Sequence, residues 1–266
     1  MTPENRLSTP ATASALALVA ALGLTACGSA STDDDSSNED SASEAAPEQT
    51  APITDEMIDA TELTGEPLAV EEGEGDGTVE VPEHDGPLVV EFENTSDSPT
   101  TFVSGESDTG QLIDGPSTGE SLITLFDPFP YEGDPQEISS EIEITTMGPT
   151  PYRISFYPLD SVPVVTDGQG VEATGPGIFR WQLEHENHYE LAMDDDTGYV
   201  STAWGLDSDE PETLSTSASG GGEEVPAGEY LVFVKHEPEQ SWSYTPITDE
   251  VFESDFAQQS NAITVD

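Results

Sequence analysis

The sequence predicts an all-β chain folded as an antiparallel β-sandwich, and three observations predict it. From about Thr78 onward, apolar and polar residues alternate in short runs, the period-2 pattern of strands with one buried face. Gly, Pro, Asn, Asp and Ser separate those runs at short intervals, as the turns of a sandwich require. No segment after residue 75 shows a sustained apolar stripe at helical spacing.

The chain opens with MTPENRLSTPATASALALVAALGLTAC. Arg6 is the one cation ahead of an apolar run from Ala15 to Leu24. That run suits the apolar part of a signal peptide, roughly 7–15 residues, and is far short of the ~20 that a membrane-spanning helix needs. It ends in Leu24-Thr25-Ala26-Cys27-Gly28: an apolar residue, two small residues and a cysteine. These residues resemble the lipobox of bacterial lipoproteins. The resemblance implies cleavage before Cys27 and a diacylglyceryl group on its sulfur. It implies a chain held on the extracytoplasmic side of a cell membrane by lipid. Cys27 is the single cysteine, so disulfides within the chain and thiolate zinc sites are excluded. Two acyl chains suffice for stable anchoring, each buried methylene contributing about 0.8 kcal/mol.

Composition agrees with lipid as the route to the membrane. There are 56 acidic residues against 4 Lys+Arg, a net charge of −52, and removal of residues 1–26 leaves it unchanged because Glu4 and Arg6 go together. Arg153, Arg180 and Lys235 are then the only cations. Nucleic acid is excluded as a partner, and so is a polybasic membrane patch, since both need clustered Lys and Arg. Self-repulsion at this charge destabilises a compact state unless salt screens it. The acidic excess resembles proteins of halophilic organisms, and the Ala-rich leader those of high-GC Gram-positive bacteria.

Residues 28–52 are Ser, Asp, Glu and Ala without periodicity, too polar to offset their own ordering entropy. With the transitional stretch that follows, residues 27–74 are expected to form an acidic disordered tether after a signal peptide at 1–26. A short helix is expected after Thr54, with Asp55 and Glu56 in its first turn.

The strands come next. Leu88, Val90 and Phe92 oppose Glu91 and Glu93; Ile138, Ile142 and Ile144 oppose Glu141 and Glu143; Tyr152, Ile154 and Phe156 oppose Arg153 and Ser155. Phe179, Trp181 and Leu183 oppose Arg180 and Gln182, and Trp242 and Tyr244 oppose Ser241 and Ser243. GEYLVFVKH is apolar on both faces and reads as a central strand. HYELAM and YVSTAW flank Asp194–Gly198, where a hairpin turn is expected.

Three local likenesses suggest an internal repeat. Gly75-Asp76-Gly77 resembles Gly168-Gln169-Gly170, Gly86-Pro87 resembles Gly175-Pro176, and the strand begun by Tyr152 resembles that begun by Tyr230. On this reading residues 75–166 and 167–266 are two tandem related sandwich modules; without it they are the two halves of one domain. Residues 207–223 read as a mobile Gly-rich loop, and 126–137 as a proline-stiffened loop whose Phe126, Phe129 and Tyr131 fold back over a sandwich edge.

Chemistry-bearing motifs are sparse. Asp194 and Asp196, at alternate positions ahead of Gly198, resemble the start of a calcium loop but lack its downstream Glu; they are the candidate calcium ligands, and no other cofactor is expected. His185 and His188 are three apart rather than four, so the metalloprotease pattern fails. No Gly-x-Ser-x-Gly occurs. Arg180 beside Trp181 points to an ion pair or a cation–π contact, with an anion-binding pocket as the sharper alternative. The expected function is a non-enzymatic, lipid-anchored binding or spacer module whose partner is an envelope protein or a glycan. An extracellular carbohydrate-directed hydrolase and a low-affinity calcium or cation binder are the alternatives.

Overall fold

The computed structural model describes residues 52–98, 101–129, 137–194, 200–206, 213–217, 221–256 and 261–262. Cys27 and its lipobox lie outside those residues. The regular structure of the described residues is nearly all strand, apart from one 3-10 turn at Leu159–Ser161 and a short helical stretch after Thr248. It forms two mainly antiparallel sandwiches of two sheets each. No helix of the described residues is long and apolar enough to cross a membrane.

Strand β1 (Met57–Asp59) comes first. Sandwich 1 follows, built from β2 (Ala69–Glu74), β3 (Gly77–Glu80), β4 (Leu88–Asn94), β5 (Val103–Ser107), β6 (Leu112–Ile113), β7 (Ser121–Phe126), β8 (Glu141–Thr146) and β9 (Pro151–Pro158). Its sheets run β2-β9-β4-β7 and β3-β8-β5-β6. Sandwich 2 holds β10 (Val164–Thr166), β11 (Gly170–Thr174), β12 (Gly177–Leu183), β13 (Asn187–Met193), β14 (Val200–Gly205), β15 (Thr213–Ser217), β16 (Gly221–Val225), β17 (Gly228–Lys235), β18 (Ser241–Ile247) and β19 (Asn261–Ala262). Its sheets run β10-β12-β17-β14-β15 and β1-β11-β18-β13-β16-β19.

The tether boundary expected at residue 74 does not hold. Met57–Asp59 is a strand rather than a helix, and it pairs in parallel with Gly170–Glu172 of sandwich 2. Ala69–Glu74 is an edge strand of sandwich 1, paired with β9. Residues 53–74 therefore begin on sandwich 2 and cross to sandwich 1. Sequence order hid this, because β1 is separated from its partner by the whole of sandwich 1. The Gly-rich stretch 207–223 likewise contains β15 and the start of β16. The expected hairpin at Asp194 is not one: β13 pairs with β18 and β16 in one sheet, β14 with β17 and β15 in the other.

The two sandwiches share a strand order. β11-β18-β13-β16 repeats β3-β8-β5-β6 with the same antiparallel pairing, and β12 pairs with β17 as β4 pairs with β7. β9 has no counterpart, so β10 pairs directly and in parallel with β12, while β2 reaches β4 only through β9. The Gly75 and Gly168 turns, with φ of 79° and 73°, occupy equivalent places, as do the Gly-Pro turns before β4 and β12. The likeness of Tyr152 to Tyr230 does not fit: Tyr152 lies on β9, and β17 corresponds to β7.

Each sandwich buries its own alternating faces. Phe92, Ile142, Ile154 and Phe156 fill the first; Phe179, Trp181, Tyr189, Trp242 and Tyr244 form an aromatic centre in the second. A third apolar cluster lies between the sandwiches. Val89, Ile123 and Leu125 from β4 and β7 meet Ile178, Trp204 and Leu231 from β12, β14 and β17, with Val162 of the connection. β17 is central, as its two apolar faces require: Val232 and Val234 enter core 2, and Leu231 enters the junction.

Candidate functional site

At one side of that junction lies a cleft of about 340 Å³. Its apolar wall comes from Ile113, Leu122 and Ile123 of sandwich 1 and from Pro176, Phe233 and Pro238 of sandwich 2. β6 and β7 are edge strands of the two sheets of sandwich 1, so the apolar interior of that sandwich opens between them. The end of β17 and two turns of sandwich 2 face this opening.

Those turns are firmly placed. Gly175 has φ of 81°, a left-handed conformation that favours glycine. Its N–H donates to Gln240 O, and its carbonyl accepts the indole N–H of buried Trp242 at 2.8 Å. Pro176 is thus fixed from the centre of sandwich 2. On the opposite wall Gly115 is packed so closely against the Val103 carbonyl that a Cβ would overlap it. The chain can pass there only without a side chain.

Five polar side chains line the same cleft: Asp114, Thr124, Lys235, His236 and Glu237. Lys235 Nζ lies 3.0 Å from Asp114 Oδ2, tying sandwich 2 to sandwich 1. Both side chains are more than half exposed, at 62% and 71%, so the pair is worth under about 1 kcal/mol and can exchange partners. His236 is buried. A second hollow, at Thr166, Gln182, Glu184 and Gly228, is lined by more polar side chains. Two of its carboxylates are engaged within the fold: Asp167 with His185 at 2.7 Å, and Glu229 with Arg180.

The residues singled out in the sequence fall elsewhere. Arg180 and Trp181 point to opposite faces of β12 and form no joint site. Trp181 is core, 5.3 Å from and stacked on Tyr189. Arg180 reaches Asp160, in the connection between the sandwiches, at 3.4 Å and Glu229 of β17 at 3.6 Å. Arg153 pairs with Glu93 at 3.5 Å. Asp194 follows β13 and its N–H donates to Ser241 O; Asp196 lies outside the described residues. Among the described residues no three His, Cys, Asp or Glu side chains form a metal-holding group. His188 stacks on Phe252 and lies 3.1 Å from Asp249, away from the partner of His185. Phe126 is fully buried, and Phe129 packs on Trp204 at the junction.

One carboxyl stands out by its surroundings. Glu223 faces inward beside Tyr189 on β16, is 2% exposed, and its Oε2 has no hydrogen-bond partner. Burial pushes its carboxyl up to about 7. Burial also raises the phenol of Tyr189. Neither residue lines the cleft.

Sequence reasoning missed the cleft because its walls come from four chain segments spread from Ile113 to Pro238. Two signals were present: Lys235 is one of only 4 Lys+Arg, and Leu122-Ile123 and Leu125-Phe126 are apolar doublets that break the alternation.

No protein-family model and no curated protein matches the chain. Among solved structures it is similar to the CUB1-EGF-CUB2 region of human MASP-1/3, with 11% identity and a TM-score of 0.21 over 67% of this chain and 99% of that one. At that score the likeness adds nothing to the fold described above.

Proposed function

We propose that this chain is a lipid-anchored lipoprotein on the extracytoplasmic side of a membrane, and that its body binds a small, mainly apolar ligand between the two sandwiches. The observation that carries the binding role is the cleft of about 340 Å³, within the size range of ligand pockets and lined as they are, by apolar walls and a few convergent polar groups. The anchoring half rests on Leu24-Thr25-Ala26-Cys27. A carbohydrate-directed hydrolase would be favoured by a raised carboxyl beside a second one in a cleft. Glu223 is raised but faces the core of sandwich 2, so the binding reading is preferred.

Two measurements test the two halves. Cys27→Ala is expected to move the protein from the membrane fraction to the soluble one; retention in membranes would defeat the anchor. The neutral fluorophore N-phenyl-1-naphthylamine is expected to bind saturably. Thr124→Trp, which places an indole at the cleft, and Leu122→Gln, which makes its wall polar, should each abolish binding while circular dichroism stays unchanged. Undiminished binding in both folded variants would remove the cleft as the site.

A further inference from the structure

We infer that the ligand of this cleft is an organic cation: an apolar body that enters between Ile113, Ile123 and Phe233, and an ammonium-type head held at the rim by Asp114 and Glu237. The inference rests on the proposed binding role of the cleft and adds the charge of what it holds.

The rim carries two carboxylates, Asp114 and Glu237, against one ammonium, Lys235. Lys235 already sits on Asp114 at 3.0 Å, so the geometry records what Asp114 accepts: a compact cation approaching over an apolar floor. An incoming ammonium takes the place of Lys235, whose long side chain is 62% exposed and returns to water. That exchange keeps Asp114 paired with a cation. A carboxylate ligand fares worse. It must draw Lys235 away from Asp114, leaving Asp114 and Glu237 beside the new negative charge. Like charges gathered at one cleft mouth repel, and desolvation by the apolar wall strengthens the effect.

The rest of the molecule acts in the same direction. A chain of net charge −52 attracts cations to its surface and repels anions, an effect that salt weakens beyond a Debye length of about 8 Å at physiological ionic strength. Sandwich 1 adds Glu80, Glu106, Glu141 and Glu143 to one sheet face, paired in register as Glu80 with Glu141 and Glu106 with Glu143. Glu106 and Glu143 line a hollow shared with Ile113 and Asp114, on the approach to the cleft. The cleft is large enough for an eight-carbon chain with its head group at the mouth.

The test uses three probes with one tail and different heads: n-octylammonium, octanol and octanoate. Binding to the folded protein is measured by isothermal titration calorimetry at 0.3 M NaCl, which suppresses diffuse attraction to the acidic surface. The expected order is octylammonium, then octanol, then octanoate, with at least tenfold between the first and last. In the double variant Asp114→Asn, Glu237→Gln the preference should shrink to under twofold. Lys235→Ala, which removes the competing internal cation, should tighten octylammonium binding by two- to fivefold. Equal or tighter binding of octanoate, or a preference that survives the double variant, would overturn the cationic ligand while leaving the cleft as a site. Failure of all three probes to bind would overturn the cleft reading with it.

Discussion

His84 Nε2 lies 2.9 Å from Asp127 Oδ2, with both side chains almost wholly buried at one end of sandwich 1. The same carboxylate accepts the backbone N–H and the hydroxyl of Ser139, each at 2.7 Å. The other ring nitrogen of His84 faces the Pro82 carbonyl at 2.9 Å; a carbonyl only accepts, so Nδ1 carries a proton. Asp127 has φ of 47°, a left-handed conformation that Asp and Asn tolerate better than most residues. One side chain thus joins the end of β7, the approach to β8 and the loop before β4. Ser140, next in sequence, is held the same way by Asp108, whose carboxyl is lowered chiefly by the Ser140 hydroxyl.

Removing Asp127 should therefore cost more than an ordinary surface change. Asp127→Ala leaves the Ser139 N–H and a buried imidazole without their partner, and breaking a buried pair costs about 3–5 kcal/mol. Asp127→Asn keeps the backbone preference and one acceptor oxygen, and should cost about half as much. Urea unfolding at fixed pH and salt reads both. A loss below about 1 kcal/mol for Asp127→Ala would show that the network does not hold the fold.

Glu223 makes a pH prediction with a definite sign. Its carboxyl is raised from 4.5 to about 7 by burial, so the folded chain holds that proton more tightly than the unfolded chain. Stability is then greatest below about 4.5 and falls as pH rises toward 7, the direction linkage requires when the native state binds more protons. The span corresponds to about 3 kcal/mol. Glu223→Gln cannot ionise. The difference in unfolding free energy, read from urea titration, between this variant and the parent should be small at pH 5 and favour the variant by about 2–3 kcal/mol at pH 8. Parallel pH curves for the two proteins would refute the buried-carboxyl account. Comparing variant with parent matters here, because general acidic repulsion gives both curves the same background slope.

The glutamates of the outer sheet of sandwich 1 predict a salt effect. Glu143 stands directly opposite Glu106 in the ladder, and like charges so placed destabilise a sheet. Glu143→Lys turns that pair into an attractive one and should raise Tm by about 1–3 °C at 50 mM NaCl. At 1 M NaCl, where the Debye length is about 3 Å, most of the gain should vanish. A gain equal at both salts would point to packing rather than charge.

Alternation made single faces legible and left shared faces half-seen. Period 2 places Phe92, Ile142, Phe156, Phe179, Trp181 and Trp242 in a core, and all are buried, whereas Ile138, placed with Ile142, precedes β8 and is exposed. Val89 and Ile178 sit one residue out of phase with those faces and are also fully buried, because the outer side of each strand meets the other sandwich. A period-2 reading treats such residues as exceptions, although the doublets Val89-Val90 and Ile178-Phe179 carry the information. Strand β1 was illegible for a different reason: three residues of a parallel edge pairing have no turn to mark them and no neighbour in sequence. The cleft is a product of the junction, so it could be read no earlier than the junction itself.

That junction carries the last prediction. β1 belongs to sandwich 2 but precedes sandwich 1, so residues 60–68 tie the two together at one end, with Leu63 packed against the interface. Thr64 N–H donates to Ser161 O at 2.7 Å, joining this strap to the other crossing, the connection between β9 and β10. With Leu231, Ile178 and Val89 fully buried between the sandwiches, neither can unfold without exposing the apolar face of the other. The parent should show one calorimetric transition whose van't Hoff and calorimetric enthalpies agree. Leu231→Ala opens a cavity on the central strand of sandwich 2 and should cost about 2–5 kcal/mol. Because Leu231 faces the junction rather than core 2, the damage should fall on coupling. The single transition should broaden or split, whereas Val232→Ala, facing core 2, should lower one sharp transition by a similar amount. Two transitions in the parent protein would show that the sandwiches are independent. The cleft between them would then have no fixed shape from which to select a ligand.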